Sequence, residues 1–373
     1  HAWRRVDDQS CWRDFCVANL SDVDRLETAI SEAGFVCVID WSGAVACRSI
    51  RDHLQQQQTR QHAEIASKFH MYLNFRVFSS GVDDPKLRDW YNKMEYKAME
   101  HANAIVSLSS LDSQQLSSIL QSKDEKNCNP RIPIEIVVPP LRQDMESFAK
   151  TNDGFFLHLP KSIQSRITNS GSANDLFSKR PIVACVARQS PEKCIQRFVK
   201  FCEMAATVLK DLNLKVVLCG AISDVEYAKD VRERLLQAIP SAIVMDRFLS
   251  PKELGAVFAH TLLNFHPSFY DAYGMTIVEA AAFGAPSVVS GPSVGAYRLL
   301  GRDGCLPVAM EPNGGVFSES SLVTIVNFLQ DSQTNQDSWK RLSSVARKKA
   351  LAWDEKSYGE RMLQIVDTHA ESK

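Results

Sequence analysis

The stretch TLLNFHPSFYDAYGMTIVEAAAFGAPSVVS (261–290) carries the clearest fold signal in the chain. It opens with a strand-like segment, TLLNFHPS (261–268), and closes with a second one, PSVVS (286–290). Between them, a loop leads into a helical segment near 275–283 that is rich in small apolar residues. Two buried strands joined by one helix are typical of a βαβ unit, in which the strands are parallel.

The same alternation of strands and helices continues on both sides of this stretch. In the second half of the chain, further strands are predicted at PIVACVA (181–187), LKVVLCG (214–220), SAIVMD (241–246) and CLPVA (305–309). In the first half, strands are predicted at FVCVID (35–40), KFHMYLNFRVF (68–78), NAIVSLS (103–109) and IPIEIVV (132–138). This pattern predicts an α/β protein with two consecutive, doubly wound parallel sheets. Ligands of such sheets bind beyond the carboxyl ends of the strands.

A change of composition marks a boundary between the two sheets. Residues 151–180 are polar, contain Gly and Ser, and show no hydrophobic period, so they are predicted to connect two domains. The predicted organisation is a first domain at 1–150, a linker at 151–180, a second domain at 181–352 and a C-terminal helix at 353–373.

The composition restricts the classes of protein to consider. The chain has 373 residues, of which 45% are hydrophobic and 23% charged, and its formal net charge is −1. This balance excludes disorder and collagen-like repeats, and it provides no overall basic charge for binding nucleic acid. No apolar run approaches the roughly 18 residues that a membrane-spanning helix needs. At most a peripheral contact with a membrane is expected.

The ten cysteines suggest neither a disulfide framework nor a metal site. None forms a Cys-x-x-Cys pair, and no Cys/His cluster has the spacing of a zinc site. Several lie inside apolar strand segments, where a thiol behaves as a small hydrophobic side chain. We therefore expect no bound metal and a reducing compartment, either the cytoplasm or the cytosolic face of a membrane.

Two carboxylates and a glycine follow the strand at 261–268. Asp271 lies in the loop, Gly274 precedes the helix, and Glu279 comes eight residues after Asp271. The glycine permits a close approach of backbone to ligand, and the free N–H groups of the first helical turn form an anion site. Both carboxylates could then accept hydrogen bonds from ligand hydroxyls. The alternative is that Asp271 favours the helix dipole and that Glu279 lies on a solvated face.

Two cations follow the strand at 181–187. Arg188 comes directly after it, and Lys193 lies five residues further on, at the start of a helix. A guanidinium and an ammonium group at a strand–helix junction suit a pyrophosphate, whereas an ordinary solvated helix start is the alternative. Gly220, after the next strand, is a third point where the backbone could approach a ligand.

Several of these segments together resemble one known family. VARQSPEK (186–193) is similar to the G-R-x-S-x-E-K segment of the family-4 glycosyltransferases, and residues 245–290 are similar to their nucleotide-sugar signature, which contains E-x7-E. Earlier segments match more loosely, namely VIDWSGAVA (38–46), EHANAIVSLSS (100–110) and IVVPPLRQD (136–144). The chain thus resembles the retaining glycosyltransferases of this family, also called glycosyl transferases group 1.

The resemblance implies a GT-B fold, in which two Rossmann-like domains face a cleft and the C-terminal helix returns to the first domain. Such enzymes transfer a sugar from a nucleotide-sugar donor to an acceptor with retention of anomeric configuration, and they require neither a metal nor another cofactor. Carried over by position, Arg188 and Lys193 would hold the diphosphate, Asp271 the hydroxyls of the donor sugar, and Glu279 those of the ribose. The remaining donor-binding positions would be Gly220, Gly274, Met275 and Thr276.

Some positions depart from the family's pattern. Asp271 stands in place of a Glu, Ala187 and Cys194 replace two glycines, and the strand-end His of the first domain is not clear, with His70 as the candidate. Asp271 and the unclear His keep one alternative open, a catalytically weak relative that binds nucleotide sugars or serves as a scaffold. A GT-B nucleotide-sugar epimerase is a second alternative. The acceptor is not specified, and it could be a glycan, a lipid, a small metabolite or a protein.

The beginning of the chain is also unusual. It starts with His1, and the strand that contains VIDW begins at residue 35, whereas the family has several strands before the corresponding one. We therefore expect an N-terminally truncated first domain that lacks its opening strands.

Overall fold

The computed structural model describes residues 32–56, 68–82, 84–124, 132–151, 154–167, 176–311 and 318–370. The contacts divide these residues into two compact units. The first unit consists of two segments, one up to Val138 and one from Tyr358 onward. The second unit runs from Pro139 to Ser357. The first 31 residues of the predicted first domain, and with them its expected truncation, lie outside the described residues.

The first unit holds a four-stranded parallel sheet in the order β1-β2-β3-β4. Its strands are β1 (Phe35–Ile39), β2 (Phe69–Asn74), β3 (Ala104–Ser107) and β4 (Ile134–Ile136), and they alternate with α1 (Asp40–Gln56), α2 (Pro85–Met99) and α3 (Ser110–Asp124). Every residue of β2 is buried, which is typical of a parallel sheet covered on both faces. Tyr72, Met99, Ile105 and Leu116 lie in the core of this unit.

The second unit holds a six-stranded parallel sheet in the order β10-β9-β8-β5-β6-β7. Its strands are β5 (Ile182–Val186), β6 (Lys215–Cys219), β7 (Ile243–Met245), β8 (Thr261–Phe265), β9 (Ser287–Val289) and β10 (Cys305–Pro307). The first strand in the chain, β5, lies in the middle, so the strand order reverses between β5 and β8. At such a switch point the loops after the two strands diverge and leave a crevice at the carboxyl ends.

Helices cover both faces of this sheet. They are α4 (Gln143–Thr151), α5 (Phe155–His158), α6 (Lys161–Ile167), α7 (Leu176–Lys179), α8 (Gln196–Asp211), α9 (Val225–Ala238), α10 (Pro251–Ala259), α11 (Met275–Ala282), α12 (Ala296–Leu300), α13 (Glu319–Thr334) and α14 (Asp337–Ala352). Alternate residues of β5 enter two different apolar clusters: Val183 and Cys185 one, Ile182 and Ala184 the other. This alternation explains why β5 is apolar along its whole length.

The boundary between the units lies earlier than the sequence predicted, and the expected linker contains helices of the second unit. Leu159, Ile163 and Ile167 are buried in the same cluster as residues of β5, β6 and β7. Ile163 and Ile167 are one turn apart on α6 and form its apolar face, whereas Leu159 precedes this helix with an extended backbone; the polar residues between them concealed the pattern. Likewise α4, placed by the sequence in the first domain, belongs to the second unit, where Met145 and Ala149 are buried.

The last helix is α15 (Glu355–Ala370), and its residues from Tyr358 onward belong to the first unit. Arg361 Nη2 donates to Glu135 Oε2 of β4 at 2.8 Å, and Met362 and Ile365 are buried. Among the helices that the structure describes, none has both the length and the apolar character needed to cross a membrane.

Candidate functional site

The predicted site residues of the second unit gather at the switch point of its sheet. Arg188 and Lys193 follow β5, and Asp271 follows β8. Because these two parallel strands are neighbours, their carboxyl ends lie at the same edge. Lys193 and Asp271 therefore meet, although 78 positions separate them in the chain.

Backbone contacts hold Asp271 in place. Its N–H donates to Ser293 O at 3.3 Å, its C=O accepts from Gly295 N at 3.0 Å, and its Oδ1 accepts from Gly274 N at 3.1 Å. Gly274 has a φ of 83°, and a Cβ at this position would come within 2.8 Å of Ile277 Cδ1. A glycine is therefore needed where the loop turns into α11, and the turn sets the direction of the Asp271 side chain.

The second carboxylate oxygen of Asp271 forms an ion pair with Lys193. The distance from Nζ to Oδ2 is 2.6 Å, and the two side chains are 25% and 17% exposed. Burial by itself would raise the pKa of Asp271, but the contacts with His266 and Lys193 outweigh it and hold the pKa well below its ordinary value. Asp271 is therefore charged throughout the neutral pH range.

His266 lies beside this ion pair and is 3% exposed. Its Nε2 is 3.5 Å from Asp271 Oδ2, which is too long for a well-formed hydrogen bond. Within the described part of the chain, neither ring nitrogen of His266 has a hydrogen-bond partner. A buried imidazole that lies 3.5 Å from a carboxylate without a well-formed hydrogen bond among the described residues is an unusual feature, which residue spacing alone does not reveal.

Arg188 and Gly220 take other contacts. Arg188 Nη2 donates to Glu192 Oε1 at 2.5 Å, and the Arg188 side chain is 48% exposed. A Cβ at Gly220 would lie only 1.8 Å from Ala187 O. The close backbone approach predicted at Gly220 is thus made to the end of β5, and any larger residue would push the two strand ends apart.

Glu279 is buried in the second turn of α11 and is 3% exposed. Among the described residues, its carboxyl takes part in no hydrogen bond or ion pair. Desolvation raises the pKa of Glu279 to about 7, with a smaller lowering by Arg142 and a further raising by Asp144. A buried carboxyl without donors is unfavourable in the free protein, so hydroxyl groups of a ligand would relieve it. The solvated alternative for Glu279 is excluded by its burial.

Met275 and Thr276 are the first two residues of α11. N–H groups in the first turn of a helix have no acceptor within the helix, so these two amides can bind an anion. The site therefore offers a cation, two carboxylates and a helix N-terminus on the loops after two neighbouring strands and on the helix that follows the second loop. In the described ranges, no group of three or more His, Cys, Asp or Glu side chains is arranged to hold a metal ion.

Sequence reasoning missed Gln189, which ties three strand ends together. This residue is fully buried, and its Nε2 donates to Gly220 O at 2.9 Å and to Asp246 Oδ1 at 2.8 Å. In the sequence, only its position next to Arg188, just after a predicted strand, pointed to Gln189. Gln189 keeps the ends of β5, β6 and β7 together behind the two cations.

Arg197 and Tyr273 were missed as well. Arg197 is 2% exposed, and its Nη1 donates to Pro267 O at 2.8 Å. Tyr273 donates from its hydroxyl to Pro139 O at 2.6 Å. Both side chains support the loop that carries Asp271. No sequence signal could have found them, because their partners are main-chain carbonyls far away in the chain.

In the first unit, residues near the strand ends make internal contacts. His70 Nε2 lies 3.1 Å from Cys47 Sγ. Glu95 is buried and accepts from Phe78 N at 2.6 Å, and burial raises the pKa of Glu95 to about 8. These contacts hold the strand ends of the first unit and do not identify a ligand.

Two units with parallel sheets, and with cations and carboxylates at the switch point of the second, define a protein of the Rossmann-like, doubly wound α/β class. The model of the family Glycosyl transferases group 1 matches residues 168–304. The match falls within the second unit, and it confirms the resemblance drawn from the sequence.

Two curated relatives share part of this domain. The D-inositol 3-phosphate glycosyltransferase of Corynebacterium glutamicum (strain R) is 29% identical over 132 residues, which are 35% of this chain and 29% of that protein. The enzyme of the same name from Corynebacterium aurimucosum is 32% identical over 97 residues, which are 25% of this chain and 22% of that protein. The chain thus spans less than a third of the length of the curated relatives it matches.

Solved structures with a similar fold cover nearly the whole chain. The apo structure of OtsA covers 96% of this chain and 78% of its own, with a TM-score of 0.67 and 11% identity. The structure of Anabaena HepE in complex with UDP and glucose covers 93% of this chain and 81% of its own, with a TM-score of 0.61 and 12% identity. These likenesses confirm the two-domain, Rossmann-like GT-B fold that was predicted.

Proposed function

We propose that this protein is a retaining glycosyltransferase that moves a sugar from a nucleotide-sugar donor to an acceptor. The observation that carries the proposal is the combination of the Lys193–Asp271 ion pair with the buried, unpaired carboxyl of Glu279 on the helix that follows Asp271. A nucleotide sugar presents both a diphosphate and several hydroxyls, which are the groups that such a site can bind. The family of the second unit supports this assignment.

The diphosphate is expected to lie between the two cations and the N-terminus of α11. Lys193 and Arg188 now pair with Asp271 and Glu192, at 2.6 and 2.5 Å. Both cations must leave these carboxylates in order to bind the donor. Once bound, they stabilise the negative charge that develops on the departing nucleotide, and the amides of Met275 and Thr276 add to this stabilisation.

The two carboxylates are proposed to bind hydroxyls. Glu279 would accept from the ribose, because it is buried, raised in pKa and without a donor in the free protein. Asp271, which is charged and directed by Gly274, would accept from the donor sugar. Asp271 is one methylene shorter than the Glu usual in the family, so we expect the sugar to lie closer to the loop.

The positive charge at the diphosphate is proposed to come from side chains, with no cofactor. If this is so, the reaction continues in excess EDTA at the rate found without it. Loss of activity in EDTA, with recovery on addition of Mg²⁺ or Mn²⁺, would contradict this part of the proposal.

UDP-glucose is the first donor to test, because Anabaena HepE is a structural neighbour with UDP and glucose bound. The acceptor class stays open among glycans, lipids, small metabolites and proteins. The acceptor site is proposed to lie in the first unit.

The test is a panel of nucleotide sugars incubated with the full chain, with thermal shift and nucleotide release as readouts. The proposal expects a shift with at least one donor, and release of the nucleotide that increases with an acceptor. A shift without release under any condition would favour the weakly catalytic binding protein, and conversion of the donor to an epimer would favour the epimerase. No shift with any nucleotide sugar would refute all three.

A further inference from the structure

Oδ2 of Asp271 has two nitrogen neighbours in the free protein. Lys193 Nζ donates a hydrogen bond to it at 2.6 Å, and His266 Nε2 lies 3.5 Å from it. The other oxygen, Oδ1, is already occupied by Gly274 N. Lys193 is thus the only hydrogen-bond donor to Oδ2 among the described residues.

A difficulty follows from the proposed function, on which this inference rests. Lys193 must leave Asp271 in order to reach the diphosphate of the donor. The Asp271 side chain is only 17% exposed, so its Oδ2 would then lose a charge-assisted hydrogen bond where little water can replace it. Without a substitute, that loss would oppose donor binding.

His266 can supply the substitute. Its backbone is held by the bond from His266 N to Val288 O at 3.0 Å, which keeps the ring beside Asp271 Oδ2. Its two ring nitrogens have no hydrogen-bond partner in the described structure, so a bond to Asp271 would satisfy a group that is now unsatisfied. An approach of about 0.6 Å brings Nε2 to the ordinary hydrogen-bond distance.

We propose that His266 is a positioning residue. When the nucleotide sugar binds, His266 replaces Lys193 as the hydrogen-bond donor to Asp271 Oδ2. In the free protein, Lys193 donates to Asp271 Oδ2, and His266 Nε2 lies 3.5 Å from the same oxygen without a well-formed hydrogen bond among the described residues. In the complex, Lys193 binds the diphosphate and His266 donates from Nε2 to Asp271. The exchange keeps Asp271 charged and correctly directed toward the sugar while it releases the lysine for the leaving group.

Two variants separate this role from simple packing. His266→Gln keeps an N–H donor near the position of Nε2, whereas His266→Leu fills the space without a donor. We expect the leucine variant to bind UDP-glucose about tenfold more weakly, and the glutamine variant to stay within about threefold of the wild type. The melting temperature of the leucine variant should not fall, because an unsatisfied buried polar group is removed. Equal affinity in all three proteins would overturn the proposal.

A spectroscopic test needs no substrate. In protein labelled with ¹⁵N-histidine, the ring signals of His266, assigned through their loss in His266→Gln, report whether Nε2 donates a hydrogen bond. Lys193→Met should place these signals in the hydrogen-bonded position without any ligand. UDP should move the wild-type signals to the same position.

The outcomes distinguish the two proposals. Failure of the wild type to bind any nucleotide sugar of the panel contradicts the proposed function. Unchanged His266 signals in Lys193→Met contradict the exchange at Asp271, whether or not a nucleotide binds.

Discussion

Glu279 is a buried residue whose ionisation lowers the stability of the folded protein at neutral pH. Its pKa is raised by burial from 4.5 to about 7, so the folded protein holds a proton that the unfolded chain has already released. Between pH 4.5 and about 7, a rise in pH therefore lowers the free energy of unfolding. The free protein is therefore destabilised at neutral pH by the same unpaired carboxyl that the proposed ligand would satisfy.

The first prediction concerns this destabilisation. Glu279→Gln removes the charge and keeps the shape, so we expect the variant to exceed the wild type in unfolding free energy by up to about 3 kcal/mol at pH 8. The advantage should shrink toward pH 5, where the wild-type carboxyl is protonated in the folded protein. Urea unfolding of both proteins at pH 5, 6.5 and 8 measures this. A difference that does not vary with pH would show that desolvation of the charge is not the cause.

The second prediction concerns the donor. A ribose hydroxyl binds better to a carboxylate than to a carboxylic acid, so the affinity of the wild type for its nucleotide sugar should increase as the pH rises through about 7. Calorimetric titrations between pH 6 and 8 test this. In Glu279→Gln, binding should be weaker and this component of the pH dependence should disappear; its persistence would assign it to another group.

The third prediction concerns the cation. Lys193→Met should weaken donor binding about 10- to 100-fold and lower the rate of transfer at least as much, because a hydrogen bond between charged groups is lost. Lys200→Met is the matched control, since Lys200 lies on α8, is 45% exposed and pairs with Glu203 at 3.6 Å. Donor affinity and turnover of the control should equal those of the wild type. Equal losses in both variants would mean that overall charge, and not the site, matters.

Among the elements of the second unit, β5 and β6 depend on a close approach of their ends. A Cβ at Gly220 would lie 1.8 Å from Ala187 O, next to Arg188 and behind Gln189. Separation of the strand ends would break the hydrogen bond from Gln189 to Gly220 O. Gly220 therefore helps indirectly to position Arg188 and Lys193, which follow β5.

The fourth prediction follows from this geometry. Gly220→Ala should cost about 3 kcal/mol or more of folding stability, or prevent folding, because the collision is with backbone. Gly359→Ala is the control, since a Cβ there meets nothing within 4 Å and the residue lies inside α15. That change should be neutral or stabilising by about 0.5–1 kcal/mol. Thermal unfolding of both variants decides the matter; a fully stable Gly220→Ala would contradict the described strand ends.

The sequence located the strands and helices but did not predict where they end. The second strand was expected to extend to residue 78, but β2 ends at Asn74, where Phe75 N donates to Asp40 Oδ1 at 2.8 Å. The helix expected to start at Lys193 is α8, which begins at Gln196; a 3₁₀ turn at Pro191–Lys193 precedes it, and Cys194 is left-handed with a φ of 51°. Apolar periodicity locates an element, but its ends depend on side chains from other parts of the chain.

At the scale of the whole molecule, each unit has its own sheet and its own core. The fifth prediction is that residues Pro139–Ser357, expressed alone, fold and bind the nucleotide sugar. Transfer to an acceptor should be lost, because the acceptor site is proposed to lie in the first unit. Circular dichroism, calorimetry and an activity assay test the three statements; a fragment that folds but does not bind the donor would place part of the donor site outside the second unit.

The sequence by itself determined the α/β class, the two parallel sheets, the family of the second domain and the loops in which the site residues lie. The class and the sheets follow from hydrophobic period and turn residues, and the family from the resemblance of motifs in 186–290 to those of a known family; all of these are local properties of the chain. Only the tertiary structure decided that Lys193 pairs with Asp271, that His266 lies beside them, and that neither His266 nor Glu279 has a hydrogen-bond partner among the residues described. Such contacts join residues that are distant in sequence, so they depend on the order of the strands and on the packing that brings their ends together.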